Sequence, residues 1–220
     1  MNFHGIFLKF GAEKHISQLQ EEGLIFCNPI KYFADLEQDE IRGDVLEKAT
    51  YIDNSNEALL KLKPLDKPNA GYTTIKLSKF VFNREDAYGN LFCMYSINMN
   101  QLNEGEKYKV DARLKKNYES FLIIKNIPVF LKRIQQKLDN QKLAWEHHLI
   151  EYKDFLKLKG ERTIFQKDIS YNYQQEFRLL IYNNVNGPIK IIIGNIADIS
   201  EKLSVNVLEN GYFIKQFHRK

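Results

Sequence analysis

The sequence is poor in cysteine, glycine and proline, and it has no long apolar run. Among 220 residues there are two cysteines, 11 glycines and five prolines, while the hydrophobic fraction is 44%. This composition excludes a disulfide scaffold, a collagen-like chain and a disordered chain. No apolar run approaches the ~20 residues that cross a bilayer, and residues 1–4 do not begin a secretory signal. We therefore expect a cytoplasmic protein without a membrane partner.

Short catalytic motifs are absent as well. The chain has no Walker loop, GxGxxG, HExxH, CxxC or GxSxG pattern. With five histidines and no CxxC pair, a metal site is not predicted. Cys27 and Cys93 lie on apolar runs, which is typical of buried free thiols in a reducing compartment.

Apolar segments and helical segments follow each other irregularly along the chain. Strands are predicted for the apolar runs at 5–10, 24–27, 91–97, 121–124, 177–182 and 189–193, and helices for 13–22 and 129–138. Because the two types do not alternate regularly, we predict an α+β fold with a mixed or mostly antiparallel sheet and a few flanking helices. A terminal strand pair is predicted around the Asn210–Gly211 turn.

The whole chain, residues 1–220, is predicted to form one domain. Polar residues, prolines and glycine cluster at about 53–71, and this composition indicates a mobile insertion rather than a boundary between domains.

Charge is unevenly distributed, although the net value is only +4. Residues 12–57 hold eleven acids and four bases, whereas residues 107–167 hold fifteen bases and seven acids with aromatics between them. Basic side chains neutralise phosphates, and aromatic faces stack on unpaired bases. The composition of residues 107–167 therefore predicts single-stranded RNA or DNA as a partner. A solvated lysine-rich surface over buried aromatics is the alternative. The acidic segment, residues 12–57, would suit an antitoxin, a chaperone or another basic partner.

The densest polar cluster precedes the apolar run at 177–182. Gln174, Glu176 and Arg178 are spaced two apart, so in a strand they would share one face. A carboxylate flanked by an amide and a guanidinium can orient a ribose hydroxyl or stabilise a developing cation. The alternative is an ion pair or a capping network at a sheet edge.

Further candidates lie in the first half of the chain. Lys9 is a cation near Gly11, a residue that would let a ligand approach the backbone. Tyr32 stands among acids and another aromatic and could wall a pocket for a ring. Tyr95 and Ser96 end an apolar strand with a phenol and a hydroxyl on opposite faces. Each also has an ordinary interpretation, as a surface lysine, a core anchor or a buried tyrosine.

The order of several segments carries a resemblance that covers most of the chain. The segments are LKFG at 8–11, YFADLE at 32–37, RGD at 42–44, LFCMYS at 91–96, FQKDISY at 165–171, QEFR at 175–178 and IGNIADI at 193–199. Their order resembles a widespread, largely uncharacterised family of bacterial and phage proteins. More distantly, it resembles the ADP-ribosyltransferases of toxin–antitoxin and phage-defence systems.

The distant resemblance implies an ADP-ribosyltransferase-like fold and NAD as the substrate. By this resemblance, Lys9 with Gly11 would hold NAD, and Tyr95 with Ser96 would support the nicotinamide ribose. The sequence departs from the family pattern at two points. Lys9 stands where arginine or histidine is usual, and no Ser-Thr-Ser triplet follows Tyr95.

The same resemblance assigns roles near the end of the chain. Glu176 would stabilise the oxocarbenium-like state as nicotinamide leaves, and Gln174 would position the acceptor nucleophile. Arg178 or Arg42, together with the lysine on the first strand, would bind the pyrophosphate. Tyr32, or the tyrosine of the LFCMYS segment, would stack on the nicotinamide.

These expectations combine in an NAD-dependent ADP-ribosyltransferase that modifies nucleic acid in a phage-defence or toxin context. The alternative is a non-enzymatic phage or prophage accessory protein that binds nucleic acid or a host protein. A metal-dependent nuclease using Asp35, Glu37 and Glu176 ranks last, because no spacing in the sequence makes these carboxylates converge.

Overall fold

The computed structural model of the protein describes residues 4–36, 44, 46–83, 89–102, 107–116, 118–183, 187–208 and 212–213. The helices are α1 (Glu13–Glu21), α2 (Ile30–Asp35), α3 (Ala112–Lys115) and α4 (Ile127–Asn140). The first strands are β1 (Gly5–Gly11), β2 (Leu24–Pro29), β3 (Ala49–Asp53), β4 (Ala58–Leu62), β5 (Thr73–Leu77), β6 (Phe80–Asn83), β7 (Asn90–Asn98), β8 (Lys107–Tyr108) and β9 (Ser120–Ile124). The remaining strands are β10 (Trp145–Leu149), β11 (Glu151–Lys153), β12 (Lys159–Glu161), β13 (Gln166–Asp168), β14 (Glu176–Ile181), β15 (Ile189–Ile192), β16 (Ser200–Ser204) and β17 (Tyr212–Phe213). Short 3₁₀ turns connect several of these elements.

An eight-stranded antiparallel sheet forms the centre of the structure. Six strands follow the order β10-β14-β7-β1-β9-β16, and β2 joins β7 to β15. One end of β7 pairs with β1 and its other end pairs with β2, so the sheet divides along β7. The predicted α+β class with mostly antiparallel pairing is therefore confirmed.

The structure also contains four smaller sheets among the described residues. Strands β12, β3 and β6 form an antiparallel three-stranded sheet. Strands β4 and β5 form a two-stranded antiparallel hairpin, β17 pairs antiparallel with β8, and β11 pairs parallel with β13. The predicted insertion at 53–71 contains β4, so part of it is a strand of this hairpin.

Apolar core clusters pack on both faces of the central sheet, and neighbouring residues of a strand belong to different clusters because successive side chains point to opposite faces. Phe7 and Phe177 belong to one core cluster, which α1 and α4 cover. Leu8 and Tyr95 belong to the other cluster, where α3 and the 3₁₀ turn at 205–208 pack. These assignments decide which candidate site residues share a face.

The sequence explains why α4 forms where it does. Asn126 caps the first turn by accepting a hydrogen bond from the Val129 backbone N–H at 3.2 Å, and a proline occupies the start of the helix. Phe130, Ile134 and Leu138 recur at helical spacing and are buried. The helix predicted at 129–138 is confirmed, as is the one at 13–22.

The predicted terminal strand pair is wrong. Residues 205–208 form a 3₁₀ turn, whose Leu208 is buried in the second core cluster. The strand before this turn, β16, pairs with β9, and the strand after it, β17, pairs with β8. Asn210 and Gly211 lie outside the described residues. Burial of Leu208 therefore accompanies a 3₁₀ turn where a strand was predicted.

Within the part of the chain that the structure describes, no helix combines the length and apolar character needed to cross a bilayer.

Gly23 is the position where the fold most clearly requires glycine. Its φ is +64°, and a Cβ there would meet Ile193 Cγ1 at 2.7 Å and the Gly194 backbone N at 2.9 Å. We expect Gly23→Ala to lower the free energy of unfolding by more than about 1 kcal/mol, since both the backbone conformation and the contact are unfavourable. Urea unfolding measures this. Gly71→Ala is the control, because a Cβ at Gly71 would meet nothing within 4 Å. Equal midpoints for the two variants would contradict the account.

Candidate functional site

Glu176 lies at the start of β14 in a closed ion pair. Its carboxylate accepts a hydrogen bond from Lys167 Nζ at 2.8 Å and another from Arg178 Nε at 2.8 Å, one on each oxygen. The Glu176 side chain is 13% exposed, and those of Lys167 and Arg178 are 2% exposed. Both carboxylate oxygens therefore have a cationic partner. This is the ion pair of the alternative interpretation, although β14 lies between β10 and β7 rather than at the edge of the sheet.

Arg178 extends this pair into a larger network. Its guanidinium forms two hydrogen bonds with the buried Glu47 carboxylate, one of them from Nη2 at 3.0 Å, and Nη1 also donates to the Ile164 carbonyl. Arg178 thus stands between two carboxylates, which is the arrangement that allows a buried guanidinium to remain charged. We call Glu47, Lys167, Glu176 and Arg178 the ionic network.

Glu47 and Lys167 were missed by the sequence analysis. Glu47 is far in sequence from the polar cluster that precedes the apolar run at 177–182, and Lys167 lies outside that cluster. A second buried pair lies beside the network, because Arg162 Nη2 is 3.6 Å from Asp44 Oδ2. Arg162 also donates to the Gln166 carbonyl at 2.7 Å. No local spacing marks such contacts in advance.

Gln174 shares Lys167 with Glu176, although it does not lie on the strand. It ends the 3₁₀ turn Ile169–Gln174, and its amide oxygen accepts a hydrogen bond from Lys167 Nζ at 2.7 Å. Gln175 has a φ of +38°, which separates the turn from β14. The strand alternation therefore holds for Glu176 and Arg178 but not for Gln174.

The charges around Glu176 control its ionisation. Burial alone would raise the pKa of Glu176, but the positive charges of Arg178 and Lys167 outweigh burial and lower the pKa from its ordinary 4.5 to about 2. Glu176 is thus a strongly held anion rather than a proton donor at neutral pH.

Lys9 lies on the opposite face of the sheet from Glu176. Leu8, Tyr95 and Glu176 are cross-strand partners in one row, so they share a face, and the next residue of β1 points the other way. Lys9 Nζ donates to the Cys93 carbonyl at 2.8 Å and lies 4.6 Å from the centre of the Phe92 ring. The structure therefore does not bring these two predicted site residues into one pocket.

Gly11 ends β1 close to helix α1. A Cβ at this position would meet Ile16 Cδ1 at 3.2 Å, so packing against the helix accounts for a small residue there. Tyr32 lies on α2, with its ring edge-on to Phe33 at a centroid distance of 5.4 Å. Arg42 lies outside the described residues.

Tyr95 and Ser96 point to opposite sides of β7, and Ser96 contacts Gln175 directly whereas Tyr95 is linked to it through Tyr108. The Tyr95 hydroxyl bonds to the Tyr108 hydroxyl, which donates to Gln175 Oε1 at 3.1 Å. Ser96 Oγ donates to the Gln175 carbonyl at 2.7 Å. Burial is the main cause that raises the pKa of Tyr95, so its hydroxyl stays protonated. Tyr95 is thus the predicted ribose-supporting residue that lies beside Glu176.

The carboxylates of the nuclease hypothesis do not form a metal site among the described residues. No group of three or more His, Cys, Asp and Glu side chains in the described ranges could hold a metal ion. Asp35 lies on the surface between Lys31 and Lys48, and Glu37 falls outside those ranges.

A second candidate site is an open groove on the surface beside α3. It has a volume of about 600 Å³ and is lined by Ala112, Arg113, Lys115, Lys116, Tyr118, Val205 and Asn206. We call it the basic groove, since three cations and no carboxylate line it.

Arg113 is held in position at the edge of the basic groove. Asp111 caps α3 by accepting from the Arg113 backbone N–H at 2.9 Å, and it also pairs with the guanidinium at 2.9 Å. The guanidinium carbon lies 3.3 Å from the centre of the Tyr173 ring. Lys116 is exposed and Lys115 is half-buried. The two lysines therefore supply most of the uncompensated positive charge of the groove.

No family model matches the chain, and no curated protein or solved structure matches it significantly.

We expect the stability of the protein to fall below about pH 4.5 through Glu176. Because the pKa of Glu176 is lowered to about 2, its ionised form stabilises the fold above its ordinary value of 4.5, and this contribution is lost as pH falls towards 2. Glu176→Gln should lower the free energy of unfolding by roughly 3 kcal/mol at neutral pH, because it leaves the buried Lys167 without an anion and Arg178 with Glu47 as its remaining carboxylate. It should also flatten the acid dependence.

Urea unfolding between pH 2 and 7 tests both expectations, with about 2 as the native pKa of Glu176. Glu201→Gln is the control, since Glu201 forms an exposed pair with Lys125 at 3.5 Å and should change stability by less than about 1 kcal/mol. A Glu176→Gln protein as stable and as acid-sensitive as wild type would show that the ionic network does not form.

Proposed function

We propose that the protein binds single-stranded nucleic acid through the basic groove. The observation that supports this proposal is the lining of the groove, which combines Arg113, Lys115 and Lys116 with the aromatic Tyr118 and contains no carboxylate. Cations along a groove neutralise successive phosphates, and an aromatic ring offers a stacking surface for any unpaired base. The proposal agrees with the basic, aromatic-rich composition of residues 107–167.

The open mouth of the groove suits a single strand. The volume of about 600 Å³ is ordinary for a ligand site, and the open mouth lets the rest of an extended strand lie outside the groove. Arg113 is already oriented by Asp111 and Tyr173, so little side-chain entropy is lost when its guanidinium meets a phosphate or a base. Binding of this kind is electrostatic, and we expect it to be salt-dependent and tolerant of sequence.

We expect Lys115→Ala/Lys116→Ala to weaken oligonucleotide binding and to reduce its salt dependence. Each lysine that neutralises one phosphate contributes about one unit to the slope of log K against log salt. Fluorescence anisotropy of a labelled poly-dT or poly-U oligonucleotide, titrated at several salt concentrations, measures the slope. The expected result is a slope reduced by roughly one to two units.

The matched control is Lys132→Ala/Lys137→Ala on α4, away from the groove lining. It removes the same charge, so it should leave the slope nearly unchanged. Equal effects of the two double variants would mean that net charge alone drives binding. Absence of binding by folded wild type at low salt would reject the proposal.

We also propose NAD-dependent ADP-ribosyl transfer as a second candidate function. One specific observation favours it, namely that Tyr95 and Glu176 are cross-strand partners on neighbouring strands. In the transfer, the glycosidic bond from C1′ of the ribose to nicotinamide breaks, and an acceptor nucleophile bonds to C1′ as it loses its proton. Each oxygen of Glu176 keeps a second lone pair beside its bond to Lys167 or Arg178, and a ribose hydroxyl would have to reach it at a side chain that is 13% exposed. A nucleic acid acceptor and a toxin or phage-defence context would follow from the resemblance.

Release of nicotinamide from NAD, in the presence of RNA or DNA oligonucleotides, tests this second candidate. We expect Glu176→Gln and Tyr95→Phe to lose the release, whereas Glu201→Gln keeps it, because only the first two remove groups of the proposed site. Circular dichroism confirms that each variant is folded. Lack of nicotinamide release and of label transfer by folded wild type would reject the transferase while leaving the nucleic acid proposal intact.

A further inference from the structure

We propose that the β4–β5 hairpin binds an extended segment of another protein, in which apolar and acidic residues alternate, and that this segment adds to the hairpin as a third strand. The proposal concerns a different part of the molecule from the basic groove and does not depend on it. It rests on the two unlike faces of the hairpin, on its charge and on its strand edges.

One face of the hairpin is apolar and remains open to solvent. Leu60 pairs with Ile75, and Leu62 and Leu77 lie on the same face because cross-strand partners and every second residue share a face. Leu60 is 39% exposed, Leu62 46% and Ile75 41%. Water therefore contacts a row of aliphatic side chains that a core strand would normally bury.

The other face of the hairpin is basic. Lys61 and Lys76 lie there, together with Thr74 and with Leu59, which is 61% exposed. Residues 58–79 contain five lysines and a single acid, Asp66. This charge is complementary to an acidic partner, and its two lysines within the strands, Lys61 and Lys76, lie on the face away from the apolar row.

The edges of the hairpin supply the means of binding. Within the described residues, β4 and β5 pair with each other and with no third strand. A two-stranded hairpin alone is at best marginally stable in water, and an unpaired edge offers a row of N–H and C=O groups to another chain. An added strand satisfies those groups, and its own alternation places its apolar residues on the apolar face and its acidic residues beside the lysines.

Other occupants fit less well. Edge pairing with a second copy would place the lysines of two hairpins on the same face of one sheet, where like charges repel. A lipid surface would cover the apolar row but would leave the backbone groups of the edge without partners. An acidic strand meets all three requirements, namely apolar contact, opposite charge and edge hydrogen bonds.

The test uses the full chain and a labelled synthetic peptide that alternates Glu and Val, compared with a peptide that alternates Lys and Val. Fluorescence anisotropy should show the Glu–Val peptide binding at least about tenfold more tightly than the Lys–Val peptide. Lys61→Glu/Lys76→Glu should invert this preference, because it reverses the charge of one face. A variant whose hairpin is merely unfolded would lose binding of both peptides and would not prefer the Lys–Val peptide.

Two further variants distinguish the faces. Leu60→Ser/Ile75→Ser should weaken binding of the Glu–Val peptide by about tenfold or more, whereas Leu59→Ser, on the basic face, should leave it within about twofold. Lys115→Ala/Lys116→Ala should have no effect, which separates this site from the basic groove.

Equal binding of the two peptides would overturn the proposal, and so would a preference that survives the charge reversal. Two further results, each without peptide binding, would assign the apolar face to another occupant. Sedimentation of wild type as a dimer that Leu60→Ser/Ile75→Ser disrupts would assign it to a second copy. Adsorption of wild type to phosphatidylserine vesicles would assign it to lipid.

Discussion

The buried guanidinium of Arg178 is the charge on which the arrangement of the structure depends. It lies on β14 in the central sheet and pairs with Glu176 on its own strand and with Glu47 from the segment before β3. Transfer of such a group from water costs several kcal/mol, and the cost is recovered only if its partners are well placed. The two carboxylates and the Ile164 carbonyl supply those partners. Loss of either carboxylate would leave a positive charge uncompensated in the interior.

The ionic network also decides how the candidate sites relate to function. Glu176 is bonded on both oxygens and only 13% exposed, so a role in ribose chemistry requires a path to a nearly buried carboxylate. The basic groove requires no such path, because it is open and Lys116 is exposed. The two regions are nevertheless linked, since Arg113 in the groove stacks on Tyr173, next to the Gln174 that contacts Lys167. A ligand in the groove would therefore lie near, but not within, the network.

Local sequence patterns account for much of the fold and for little of the candidate site. Apolar runs and helical spacing predicted strands of the central sheet and helix α4, because the spacing of apolar residues within one segment indicates which of its side chains are buried. The shared face of Glu176 and Arg178 followed from strand alternation as well. The pairing of Arg178 with Glu47 joins residues 131 positions apart, and no spacing rule reports such a contact. Gln174 was predicted to lie on the strand, but the strand begins at Glu176 because Gln175 adopts a left-handed conformation. Sequence patterns do not predict that conformation for glutamine.

A double-mutant cycle on Glu47 and Arg178 tests the central claim most directly. The free energies of unfolding of wild type, Glu47→Gln, Arg178→Met and the double variant are measured at neutral pH by urea titration. If the buried pair is the constraint described here, the two single substitutions are strongly coupled, and the coupling energy is about 2 kcal/mol or more. Additive effects, with a coupling energy below about 0.5 kcal/mol, would contradict the account.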